Sequence, residues 1–199
     1  MTRQPARVLE ESDLRDLLIH THSMRHPHRN YVLILLSYKA GLRACEMAGL
    51  TWPMVLLTSH KVGFSLVLPG SITKGGRLRT VPIHPELRRG LVRLHTTYGF
   101  PASGPVIRSE RQIHLPEPPH MSAGSIVNWF TQIYADLGLK GCSSHSGRRT
   151  FITNAARALS QTGGSLRDVQ ELAGHRALTT TERYIQGDRA AQHKLVSLI

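Results

Sequence analysis

Cysteine is nearly missing from this chain. Cys45 and Cys142 are the only two among 199 residues, and neither has a partner at metal-ligand spacing. That argues against a disulfide framework and fits a reducing compartment. Long apolar runs are missing as well. The longest, YVLILLSY at 31–38, is far too short to cross a bilayer and reads as a buried helix. The opening MTRQPARVLEESDL has no apolar stretch after its charges, so it is not expected to act as a signal peptide. No carboxylate cluster of the kind that holds Mg²⁺ stands out. Acid is scarce overall: 13 Asp and Glu face 25 Lys and Arg, a formal charge of +12 before any of the 12 histidines is protonated. A surface that basic attracts polyanions, with nucleic acid the first expectation. An anionic membrane would suit the charge equally, but neither a basic amphipathic helix with an aromatic edge nor a lipidation motif is seen. What is present is enough for a core, since hydrophobic residues make up 40%. The length suits one medium domain. A soluble, cytoplasmic protein is expected.

Periodicity and punctuation predict a mainly helical α+β chain. Ser12 is placed to cap a helix through DLRDLLIHTH, with Leu14, Leu17 and Leu18 on one face. A basic linker, MRHPHRN, then precedes a second apolar helix ending near AGLRACEMAGL. Residues 62–68 alternate loosely as a strand. Gly75-Gly76 signals a turn and RLRTVPIH returns, which places a small antiparallel sheet near residues 53–84 with Lys74 beside the hairpin tip. Pro85 opens PELRRGLVRLHTTYG, which Gly99 closes. Residues 101–120 read as loop, with a short strand at Val106-Ile107. Ser122 or Ser125 caps IVNWFTQIYADLG. A helix starting near His145 breaks at Gly163-Gly164, and LRDVQELAG, TTTERYI and an apolar tail follow.

Individually, the candidate functional residues have ordinary explanations. Arg43 in GLRACE reads as a surface arginine or a helix-end partner of Glu46, and Lys74 as a solvated hairpin lysine. His145 and Arg148 in HSGRR share one helix face near an N-terminus. That is a plausible phosphate site and also a common non-catalytic DNA contact. His175 in LAGH suits a helix end, and Tyr184 in TERYI reads first as half-buried packing. LRDVQELAGHRALTTTERYI also has the outline of a helix-turn-helix, which would suit a DNA-binding regulator.

Order changes the reading. The chain carries Arg in AGLRACEMAGL, Lys in TKGGRLRTVPIH, H-x-x-R in HSGRRTFIT, G-H in LAGH, and Tyr nine residues beyond that histidine. This resembles the tyrosine recombinase (phage integrase) family from about residue 10 to residue 186. The segment from HSGRRTFITNAARAL to LAGHRALTTTERYI is the most specific. A helix-turn-helix regulator leaves the ordered Arg, Lys and H-x-x-R unexplained. A type IB topoisomerase shares the chemistry, but the G-H to Tyr spacing favours a recombinase.

The resemblance implies the catalytic-domain fold of that family and DNA strand cleavage and rejoining. Arg43 and Arg148 would clamp the non-bridging oxygens of a phosphodiester with forked, charge-assisted hydrogen bonds that lysine cannot copy. His175 would add a donor. Tyr184 would be the nucleophile, leaving a 3′-phosphotyrosyl link and a free 5′-hydroxyl. Lys74 would protonate the leaving oxygen, His145 would assist proton movement, and Glu46 would hold Arg43. Because the ester stores the bond energy, neither ATP, metal nor any other cofactor is required. Arg77, Arg79, Arg149 and Arg176 are expected DNA contacts, and Arg108, Arg111 and Arg157 are exposed candidates for base reading. The implied partner is double-stranded DNA, with four protomers on two sites and a monomer without DNA, in a bacterial, plasmid or phage setting. The tail AAQHKLVSLI is expected either to fold back on its own core or to dock on a neighbour. Two departures are visible. Gly147 stands where the family usually has leucine. The chain also starts almost at the first helix of the catalytic domain, so residues 1–199 are expected to be that domain alone. No N-terminal DNA-clamping domain is expected, as in short members such as fimbrial phase-switch invertases.

Overall fold

The most apolar segment of the chain forms its central helix. In the computed structural model, which describes residues 5–111, 119–184 and 196–197, α2 (Pro27–Tyr38) packs against α1 (Glu11–Thr21), α4 (Pro85–Thr97) and α6 (Ser146–Thr162). Val32 to Leu36 are all buried, as expected of a helix apolar on every side. α2 begins inside the expected basic linker. Pro27 occupies its first turn, where a missing N–H costs nothing, so PHRN is helical. α1 also starts earlier than expected. Glu10 is its N-cap, and the Glu10 backbone N–H donates to Asp13 Oδ2 at 2.9 Å, so Ser12 lies within the first turn.

The second apolar helix is split. Gly41 takes a left-handed conformation (φ 62°), and the Leu42 N–H returns to the Leu36 carbonyl at 3.0 Å. The chain then restarts as α3 (Ala44–Ala48) with Arg43 as N-cap. Any side chain at position 41 would collide with the Phe151 ring of α6, so both φ and space demand glycine.

The small sheet lies where it was expected. β1 (Ser65–Leu68) pairs antiparallel with β2 (Arg79–Pro82), with Leu66 opposite Val81 and Leu68 opposite Arg79. The connection, residues 69–78, is longer than a two-residue hairpin turn. Val106 and Ile107 run beside other backbone through isolated bridges at Pro105 and Arg108. Ser122 caps α5 (Ala123–Asp136), its hydroxyl accepting from the Ser125 N–H at 3.1 Å.

After α6, Gly163 (φ 67°) ends the helix, and the Ser165–Asp168 pair caps α7 (Leu166–Ala173). Gly174 (φ 63°) closes α7 and leads to α8 (Leu178–Glu182). Ile152, Val169 and Ala173 form a second, smaller core here, and Tyr184 packs against it. Among the described residues, no helix is long and apolar enough to cross a membrane.

Candidate active site

Several local signals converge on one cleft of about 440 Å³, lined by Arg43, Arg77, Arg79, Arg167, His175 and Arg176 together with Glu46 and Glu171. Its floor is a charge network. Arg43, at the cap of α3, donates from its backbone to Glu46 Oε2 at 2.7 Å and from Nη1 to Oε1 at 3.1 Å. Arg79 Nη2 donates to the same Oε2 at 2.7 Å. Glu46 is fully buried, so one carboxylate holds two guanidinium groups.

Arg148 has no carboxylate of its own. It is 4% exposed, and Nη1 donates to the Gly41 carbonyl while Nη2 reaches the Ala173 carbonyl at 2.6 Å and His175 Nε2 at 3.1 Å. Two arginines therefore hold the one buried carboxylate and a third stands beside them without one, so a positive excess remains in a poorly solvated place. Burial, then the charge of Arg43, pushes Arg148 down to about 9, which leaves it cationic at neutral pH. Burial followed by Arg148, Arg43 and Arg79 holds His175 down to about 4, so it is neutral. An uncompensated buried cation is costly, and such an arrangement marks a site for an incoming anion.

The helix ends explain the placement. The Gly174 turn sends the chain back, with the His175 N–H on the Gln170 carbonyl at 3.0 Å and Gln170 Nε2 on the His175 carbonyl at 3.0 Å. His175 Nδ1 lies 3.0 Å from Thr181 Oγ1. The rings of His175 and Tyr184 stack with centroids 5.6 Å apart, and the Arg149 guanidinium lies 5.6 Å from the tyrosine ring. Thr153 Oγ1 donates to the Tyr184 carbonyl at 3.4 Å.

Arg43, Glu46, Arg148, His175 and Tyr184 are thus brought together from α3, α6, the α7 turn and the end of α8. His145 is exposed at the N-cap of α6, one turn before Arg148. Lys74 is exposed in the 69–78 connection. Its neighbour Gly75 is tethered to the site, because Arg176 Nη2 donates to the Gly75 carbonyl at 3.1 Å. Arg77 and Arg176 are exposed and Arg149 is half-buried.

Arg79 is a correction. Expected as a DNA contact, it is 7% exposed, and its Nη1 also donates to the Leu172 carbonyl at 2.6 Å. Strand alternation is the reason. Residues 79, 81 and 83 share the inward face with Leu66 and Leu68, so apolar Val81 and Ile83 were the available signal. Arg108 is also half-buried, its guanidinium 4.0 Å from the Tyr98 ring centroid. Thr181 was not singled out by sequence reasoning, since nothing distinguishes it within TTTERY.

Gly147 has a packing explanation. α6 crosses α2 so closely there that an added Cβ would lie 2.9 Å from Ser37 Cβ. Glycine permits the approach that seats Arg148 under Gly41.

The model of the Phage integrase family matches residues 7–190, and the chain belongs to that family, the tyrosine recombinases. Tyrosine recombinase XerC of Brucella suis biovar 1 (strain 1330) is 31% identical over 159 residues, covering 78% of this chain and 45% of that protein. The chain spans about half the length of the curated relatives it matches. Two solved structures share its fold. XerA recombinase superposes with a TM-score of 0.71 at 20% identity, over 98% of this chain and 66% of that one. The Tn1549 transposon integrase, solved in complex with circular intermediate DNA, gives 0.71 at 17% identity, over 100% of this chain and 69% of that one. What they share with this chain is its mainly helical fold with a small antiparallel sheet.

Proposed function

We propose that this chain carries the catalytic domain of a site-specific DNA recombinase that cleaves and rejoins double-stranded DNA through Tyr184. The observation that carries the reading is Arg148, a buried guanidinium with only carbonyl and imidazole partners, set beside Arg43, His175 and Tyr184. A phosphodiester supplies the missing anion. Arg43 and Arg148 hold its non-bridging oxygens, and the charge that builds there in the transition state strengthens those bonds. The Tyr184 oxygen attacks phosphorus, the P–O5′ bond breaks, and a 3′-phosphotyrosyl ester forms with a free 5′-hydroxyl. Lys74 gives its proton to the leaving oxygen, and His145 assists proton movement at the tyrosine. Glu46 holds Arg43 in place. Rejoining is the same steps reversed, so the reaction needs no added energy source.

Arg77, Arg149 and Arg176 are offered as contacts to the DNA backbone, in a cytoplasmic protein that acts as four protomers on two sites. The Tn1549 integrase structure, with its circular intermediate DNA, supports a DNA partner by analogy. Most of the tail AAQHKLVSLI lies outside the described residues, as does any docking by it. The test is incubation with a nicked suicide duplex bearing the site. A denaturation-resistant protein–DNA adduct is expected, and Tyr184→Phe should form none. An adduct that survives in Tyr184→Phe overturns the nucleophile, and no adduct with the parent protein favours a non-cutting regulator.

A further inference from the structure

Two partners decide where the proton of His175 sits. Arg148 Nη2 lies 3.1 Å from Nε2, and a guanidinium has donors only, so Nε2 is the acceptor and carries no hydrogen. A neutral imidazole then has its single proton on Nδ1. Thr181 Oγ1 lies 3.0 Å from Nδ1 and accepts it. Thr181 is fully buried, with no solvent to replace its hydroxyl in that role. It also belongs to the nucleophile's segment, since the Tyr184 N–H donates to the Thr181 carbonyl at 3.0 Å.

We propose that Thr181 is a positioning residue that fixes the orientation and the Nδ1–H tautomer of His175, tying its phosphate-facing nitrogen to the helix that leads into Tyr184. The geometry of the DNA-free protein carries this inference. Only its kinetic consequence rests on the recombinase reading.

The surroundings explain why the hydroxyl matters in both charge states. Arg148 from α6, Arg43 at the start of α3 and Arg79 from β2 all face the ring and oppose a second proton. Glu46 lies behind those arginines, and Tyr184, with Arg149 over it, covers the ring face. While the ring is neutral, Nε2 has no hydrogen to give a phosphate oxygen. A bound phosphodiester offsets part of the arginine charge and accepts the Arg148 Nη2 hydrogen bond in place of Nε2. The ring can then take a second proton from solvent on the freed Nε2 and donate from both nitrogens. Thr181 Oγ1 accepts from Nδ1 before and after that change. A valine in its place would accept in neither state.

¹⁵N NMR of histidine-labelled, DNA-free protein at pH 7.5–8 reads the tautomer directly. The expected parent pattern for His175 is a protonated Nδ1 and an unprotonated Nε2. Thr181→Ser should keep it, and Thr181→Val should give a mixture of tautomers. In single-turnover cleavage of the suicide duplex, Thr181→Val should lose about tenfold in rate, the scale of one hydrogen bond. Its DNA affinity should hold within about twofold, and serine should restore the rate. A parent His175 protonated on Nε2 overturns the inference without any variant. So does a Thr181→Val protein whose His175 signals match the parent. If the parent forms no adduct at all, the recombinase reading fails, while the NMR pattern still decides the role of Thr181.

Discussion

On the proposed mechanism Arg148, Lys74 and His175 have distinct jobs, and the jobs separate experimentally. Arg148→Lys keeps a charge but loses the fork. Cleavage should fall by about 10²–10³ in single-turnover assays, the usual effect of removing one preorganised donor. Lys74 is a proton donor on this account, so its loss should matter only when the leaving group needs a proton. Lys74→Ala should cleave ordinary DNA poorly. It should recover on a duplex whose scissile 5′-oxygen is replaced by sulfur, a far better leaving group. Equal defects on both substrates would remove Lys74 from the chemistry. His175 also affects stability. Its folded-state value, about 4, lies below the ordinary 6.5, so between those values the unfolded chain binds the extra proton. Its contribution is therefore complete above about pH 6.5 and is lost as pH falls toward 4. The full difference corresponds to about 3 kcal/mol, and solvent screening of the half-exposed ring reduces the expected loss to the order of 2 kcal/mol. Urea midpoints across that range should show the slope in the parent and a flatter profile in His175→Gln.

At the scale of elements, two contacts hold the site together. The first is the crossing of α2 and α6 at Ser37 and Gly147. Replacing a mid-helix glycine with alanine normally gains up to about 1 kcal/mol. Here the added methyl meets Ser37, so Gly147→Ala should instead destabilise by about 1–3 kcal/mol. Ser37→Gly in the same chain should recover much of the loss in thermal unfolding. The second is Arg79, which joins β2 to α3 through Glu46 and to α7 through the Leu172 carbonyl. Arg79→Ala should cost about 3 kcal/mol, since Glu46 loses a buried partner. Sequence reading found the elements whose signals are local. Gly163-Gly164 ended α6, and the 53–84 sheet was marked by its turn residues. It missed the split between α2 and α3, because the need for glycine at position 41 comes from Phe151, more than a hundred positions away. Arg79 was misplaced because its charge outweighed the alternation of Val81 and Ile83. The order of Arg43, Arg148, His175 and Tyr184 was legible. So was Glu46, three residues from the Arg43 it holds. The contacts of Thr181 with His175 and of Arg79 with Glu46 were not, since those partners meet only in three dimensions.

For the whole molecule, the excess of basic residues and the arginine-lined cleft point to one polyanionic partner. Electrostatic binding of that kind has a measurable signature. If about six phosphates are neutralised, affinity for duplex DNA should fall about 10³-fold between about 50 and 200 mM salt. Binding by itself would leave a regulator and a recombinase indistinguishable, so the central claim concerns the bond to Tyr184. Protease digestion of the trapped adduct followed by mass spectrometry locates that bond. The account predicts a single peptide carrying a 3′-phosphonucleotide on Tyr184. A linkage on any other residue, or a nucleotide attached through its 5′ end, would contradict it.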